Sequence, residues 1–176
     1  MTLDITLEDT RWQQVHLEAL VTQVVALTLQ HFDIDVEACE VSVLACDDQR
    51  IAELNNEFRD KPGATNVLSW PAEDLAAELP GGIPESPEPD FTGEIALGDI
   101  AISFDTCARE AMDAGKVMDD HIRHLIVHGV LHLLGYDHIR DPDATLMENV
   151  EVEILGKMGV DNPYVEKEAL DTGRNG

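Results

Sequence analysis

Basic residues are scarce in this chain. It has 11 Lys and Arg against 36 Asp and Glu among 176 residues, a formal net charge of −25. Phosphate backbones are normally bound by Lys and Arg that displace counterions, so composition by itself argues against a nucleic-acid partner. Cysteine is scarce as well. Cys39, Cys46 and Cys107 are odd in number and show no C-x-x-C spacing, which argues against a disulfide framework and a cysteine zinc knuckle and makes the cytosol the expected compartment. No apolar run approaches roughly 18 residues, and Met1 to Thr10 holds early acids with neither a basic nor an apolar leader stretch. Neither secretion nor membrane spanning is expected.

What is present suits one acidic globular domain. With 44% hydrophobic residues, a chain of this size can bury about 70% of its unfolded surface, enough for one core. The domain is expected over 1–165, followed by a polar, frayed tail over 166–176. Leu3 and Ile5 alternate with polar neighbours as a strand does, and from Trp12 the positions Trp12, Val15, Ala19, Leu20, Val24 and Leu27 recur at helical spacing. Val41–Cys46 reads as a second strand, and Asp47 or Asp48 can cap a helix with Ile51, Leu54 and Phe58 on one face. Asn66–Trp70, stopped by Pro71, is a third strand. Ile95–Ser103 is a fourth, with a bulge suggested at Gly98. Helices are predicted at about Phe104–Ala114, Asp120–Leu134 and Pro142–Met158, the last with Asp141 as N-cap and Pro142 in first position. From Pro71 to Gly93 there are five prolines, six acids and no Lys or Arg. That stretch reads as a long mobile loop between two strands, either functional or simply a solvated acidic insertion.

Five of the seven histidines fall between His121 and His138. On a helix His128 and His132 stand one turn apart on one face, a spacing at which two imidazoles reach one metal ion. Gly135 can end that helix in a left-handed cap and turn the chain back, so that His138 supplies a third nitrogen. Three histidine ligands with a fourth position open form the catalytic zinc arrangement, in which the pKa of bound water drops to roughly 7. A rival set of His124, His128 and His132 is disfavoured, because eight helical residues rise about 12 Å. His124 or His121 is left to line the cleft or to support the ligands. Residue 129 is Gly, so the H-E-x-x-H peptidase box with its general-base Glu is absent. Asp137 can orient a ligand or assist proton transfer, and it can equally be a turn residue. Arg59 and Lys61 form an isolated cationic pair, fit either to hold an anionic substrate or to complement a helix dipole.

The run His128-Gly-Val-Leu-His132-Leu-Leu-Gly-Tyr-Asp-His138 resembles the H-G-x-L-H-L-x-G-Y-D-H signature of the YbeY family of bacterial rRNA-maturation endoribonucleases. Leu54-Asn55 with Arg59, then Thr65-Asn66-Val67-Leu68-Ser69-Trp70-Pro71, is similar to its L-N-x-x-x-R and T-(D/N)-V-L-S-F-P segments, with Trp70 where Phe is usual. Leu97–Ser103 matches L-G-D-I-x-I-S, and Met147-Glu148 with Glu151, then Asp161–Tyr164, resemble the family's C-terminal helix and ending. The resemblance covers about residues 41–165, and the loop over 72–92 is longer than the family's minimal form. It implies an α+β fold with a small mixed four-stranded sheet, about five helices and a zincin-like metal-binding helix. It also implies one Zn2+ per chain on His128, His132 and His138, with Arg59 catalytic near the substrate phosphate. Lys61, His124 and Asp137 are then candidates for substrate binding or ligand support. The implied activity is cleavage of single-stranded RNA in maturation of the small-subunit rRNA 3′ end and in ribosome quality control. The partners would be rRNA, the ribosome and small-subunit proteins, with no DNA and no membrane, in the cytoplasm. The competing expectations are a zinc metallopeptidase and a noncatalytic, zinc-containing ribosome-assembly factor.

Overall fold

The structure, a computed structural model, describes residues 1–164, so the expected tail over 166–176 lies outside the described residues. The strands are β1 (Thr2–Leu7), β2 (Cys39–Cys46), β3 (Val67–Pro71) and β4 (Ile95–Ser103), and they form one sheet in the order β1-β2-β4-β3. Burial alternates along β1 and most of β2, whereas Ile100–Ser103 at the end of the central strand β4 is buried at every residue. β1, β2 and β4 run parallel, and β3 pairs antiparallel with β4 at the edge. The α-helices are α1 (Leu17–His31), α2 (Asp48–Arg59), α3 (Phe104–Asp113), α4 (Met118–Leu133) and α5 (Asp141–Lys157). The mixed four-stranded sheet and the five helices agree with the sequence. No helix among the described residues is long and apolar enough to cross a membrane.

One sheet face, with Val41, Val43, Ile100 and Ile102, packs into a cluster with Val21, Val24, Ile126, Val130, Leu131, Ile154 and Leu155. Each such burial contributes roughly 1.5–3 kcal/mol relative to exposure. α4 is central to this core. From His124 to Leu133 its only ionisable side chains are His124, His128 and His132; the rest are apolar or glycine, because the sheet, α1 and α5 cover the helix on its other sides. A Cβ at Gly129 would stand 3.2 Å from Ile100 Cδ1 and 3.3 Å from Ser69 Oγ, so the missing side chain is what lets α4 lie against β3.

The bulge expected at Gly98 is present. The β2–β4 register shifts between Glu40 and Val41, and Gly98 has φ 135° with Trp70 O only 2.2 Å from where a Cβ would lie.

Four local expectations are corrected. The helix expected from Trp12 is broken: Thr10–Val15 is a 3-10 turn, His16 takes a left-handed conformation with φ 50°, and α1 starts at Leu17. Its buried stripe therefore runs through Leu17, Leu20, Val21, Val24 and Val25, and leaves Ala19 exposed. Phe58 does not share the buried face of Ile51 and Leu54. It is 60% exposed, edge-on to Trp70 at 6.0 Å. Arg140 takes the N-cap position of α5, one residue earlier than expected. The acidic loop is tied down rather than standing free. Leu75 is buried, Glu85 N donates to Leu75 O at 2.9 Å, the Arg140 guanidinium donates to the carbonyls of Ala77 and Glu78 at 3.1 Å, and Gly81 N donates to Asp143 at 2.8 Å.

Candidate functional site

α4 ends where the site begins. Gly135 has φ 100°, its N–H donates to His132 O at 3.1 Å, and Tyr136 N–H donates to Leu131 O at 3.0 Å, the double bond of a Schellman cap. The chain reverses there and returns His138 to the helix end. A ligand nitrogen from each of His128, His132 and His138 lies within 4.8 Å of the other two, and the Nε2 atoms of His128 and His132 are 3.0 Å apart. Zinc–imidazole bonds of about 2.0–2.1 Å need nitrogens roughly 3.4 Å apart, so modest side-chain rotation brings the set onto one ion. The donor set fits a single borderline-soft metal with an open position. Asp137 accepts from the His138 backbone N–H at 2.7 Å.

Burial, with the adjacent imidazoles His128 and His138, pushes His132 down to about 4 from its ordinary 6.5. Between those values the unfolded chain takes up a proton that folded His132 refuses. The metal-free protein is therefore expected to lose stability as pH falls from about 6.5 to about 4, and to level off in this respect below that. Urea midpoints across the window check the slope against the His132→Asn variant, which lacks the titrating ring; parallel curves would remove the effect.

Arg59 comes from the other wall. α2 ends in a left-handed Asp60, with Lys61 N–H donating to Asn55 O at 3.3 Å, so the chain curls back and both cations border the cleft. The Arg59 guanidinium donates to the Ser69 carbonyl on β3. Every other arginine among the described residues has a carboxylate partner: Arg11 with Asp9 and Asp105, Arg50 with Glu8 and Glu53, Arg109 with Asp48, Arg123 with Asp120, and Arg140 with Asp143. Arg59 has none. It shares an open cleft of about 580 Å³ with Lys61 and the three histidines, bounded on another side by Glu73, Asp74 and Leu75 of the acidic loop.

His124 is not brought into the cluster. Its Nε2 lies 3.1 Å from Glu151, a carboxylate with 0% exposure that also lies 3.4 Å from His128 Nδ1 and accepts from the Tyr164 hydroxyl at 2.8 Å. Burial raises the Glu151 carboxyl, but the hydrogen bonds from His124 and His128 outweigh it and bring it to about 2. Sequence reasoning assigned no site role to Glu151 or Tyr164. The available signal was an acid on the same α5 stripe as Met147, Ile154 and Leu155, all of which are buried. His121 sits farther along α4, paired with Glu110 at 2.9 Å.

Fold and site define a class: an α+β protein whose central helix offers a three-histidine cluster, able to hold one metal ion, to a cleft with an arginine that has no carboxylate partner among the described residues. The family model described as Endoribonuclease YbeY matches residues 3–159, and the chain belongs to that family. A relative named Endoribonuclease YbeY from Ruegeria pomeroyi is 65% identical over 164 residues, 93% of this chain and 98% of its own length. One of the same name from Bartonella quintana is 39% identical over 167 residues, covering 94% and 98%. The solution structure of TM1509 from Thermotoga maritima has a TM-score of 0.49 at 19% identity, covering 89% of this chain and 91% of that one.

Proposed function

We propose that the chain is a zinc-dependent endoribonuclease for single-stranded RNA, one catalytic domain over 1–165. It works in the cytoplasm on the small-subunit rRNA 3′ end and in ribosome quality control. The observation that carries this reading is the meeting of Arg59, the arginine without a carboxylate partner among the described residues, with His128, His132 and His138 in one cleft. In so acidic a chain, Arg59 and Lys61 beside a metal-type cluster make a place for a phosphate.

His128, His132 and His138 hold the zinc, which supplies Lewis acidity and a lowered pKa for water. Arg59 offsets the charge that develops on the phosphoryl oxygens, by a fork that matches two of them. Its bond to the Ser69 carbonyl sets the direction from which it approaches. Lys61 guides the strand along the same wall, and Asp137 steadies the turn that presents His138. Ribosomal RNA presented by small-subunit proteins relieves the long-range repulsion that a net charge of −25 imposes.

The test is cleavage of a single-stranded RNA and its duplex by the chain as purified, after chelation, and after zinc is returned. Cleavage of the single strand alone, lost on chelation and restored by zinc, is the expected result. Cleavage indifferent to chelation, or none with or without ribosomes, would overturn the proposal. Cyclic phosphate product ends would show that the RNA 2′-hydroxyl is the nucleophile, and linear ends that water is.

A further inference from the structure

We infer that Glu151 is a positioning residue that holds His128 in the tautomer presenting its Nε2 lone pair to the metal; the inference rests on the three-histidine reading above. A neutral imidazole carries one proton, on either ring nitrogen. His128 turns Nε2 into the cluster, 3.0 Å from Nε2 of His132, and Nδ1 toward Glu151, 3.4 Å from each carboxylate oxygen. Ligation through Nε2 requires the proton on Nδ1. An ionised carboxylate only accepts, so it faces Nδ1 favourably when that nitrogen is the protonated one. An amide or a water in its place would serve either tautomer.

The carboxylate is itself held in place. α5 begins three residues after His138 and carries Glu151 under α4, where the side chain is 0% exposed. Tyr164 donates its hydroxyl to both oxygens, at 2.8 and 3.1 Å, and His124 Nε2 stands 3.1 Å from Oε1. This accounts for the third histidine of the α4 stripe: it partners the carboxylate one turn before the ligands. A carboxylate behind a ligating histidine raises its basicity and fixes its ring plane, and losing one commonly costs 10–100-fold in metal affinity.

Nitrogen NMR of histidine-labelled, metal-free wild type reads the His128 tautomer directly. A ring protonated on Nδ1 is expected, and a ring protonated on Nε2, or a mixture, overturns the inference. Glu151→Gln keeps the shape and removes the charge. Its expected results are a mixed His128 tautomer and a zinc dissociation constant raised about 10–100-fold in chelator competition, with the far-ultraviolet circular dichroism of the wild type. Wild-type tautomer and affinity in that variant would also overturn it. Should Glu151→Gln misfold, Tyr164→Phe removes one donor from the same carboxylate and is expected to weaken zinc by a smaller factor; unchanged affinity there counts against the inference. A wild-type chain that binds no zinc would overturn the metal reading instead, and the two failures are separable because the tautomer is read without metal.

Discussion

Replacing Arg59 by Ala is expected to lower cleavage of single-stranded RNA by about 10²–10³-fold while zinc content and the melting temperature stay close to wild type. The size follows from the role proposed for Arg59 in the cleft. It is the described arginine that spends no charge on a carboxylate, and its guanidinium lies at the edge of an open space shared with the three histidines. Its one internal bond, to the Ser69 carbonyl, is a modest contribution to stability because Arg59 itself is exposed and β3 is an edge strand. Arg59→Lys should fall between the two, since it keeps the charge and loses the fork. Product yield against time, with zinc per chain measured on the same samples, checks both variants. Cleavage retained in Arg59→Ala would take Arg59 out of the phosphate chemistry.

The second large effect is expected from His132→Ala. Removing the middle histidine of the proposed ligand set leaves two nitrogens on separate segments, so on that reading zinc affinity should fall by more than the roughly 10–100-fold that an outer partner costs, and cleavage should fall with it. The fold should survive. The buried cluster between the sheet, α1, α4 and α5 is made of side chains such as Trp12, Val24, Ile126, Leu131 and Ile154, none of them a ligand. Circular dichroism of the variant, read beside its zinc content, decides the matter. Unfolding on loss of the metal would favour a structural ion in a noncatalytic assembly factor.

The sheet was legible in the sequence because alternation and turn residues are local signals. β4 was bounded correctly, and its bulge was readable because Gly98 interrupts the alternation. The start of α1 was not legible. Trp12 and Val15 carry the helical period through a break at His16, and a left-handed backbone at a non-glycine residue leaves no mark in hydrophobic spacing. Phe58 was misplaced for a related reason. α2 covers only part of its sheet face, and periodicity does not tell how far the covering surface extends.

The histidine cluster followed from sequence alone, since one helical turn pairs His128 with His132 and the glycine cap at Gly135 turns the chain back to bring in His138. Arg59 could be named from its isolation in an acidic chain, but only the packing of α2 against β3 turned it into the same cleft. Glu151 and Tyr164 were decided by tertiary structure. They lie 23 and 36 residues after His128, and a carboxylate reads as buried and paired only once α5 is folded under α4. The acidic loop shows the same division: its composition announced a solvated insertion, and the backbone bonds from Arg140 and to Asp143 anchored it beside the site. Sequence determined the contacts set by one helical turn and its cap, because spacing along the chain there fixes spacing in the molecule. Contacts between distant segments had to wait for the core, which sets their geometry by packing rather than by order.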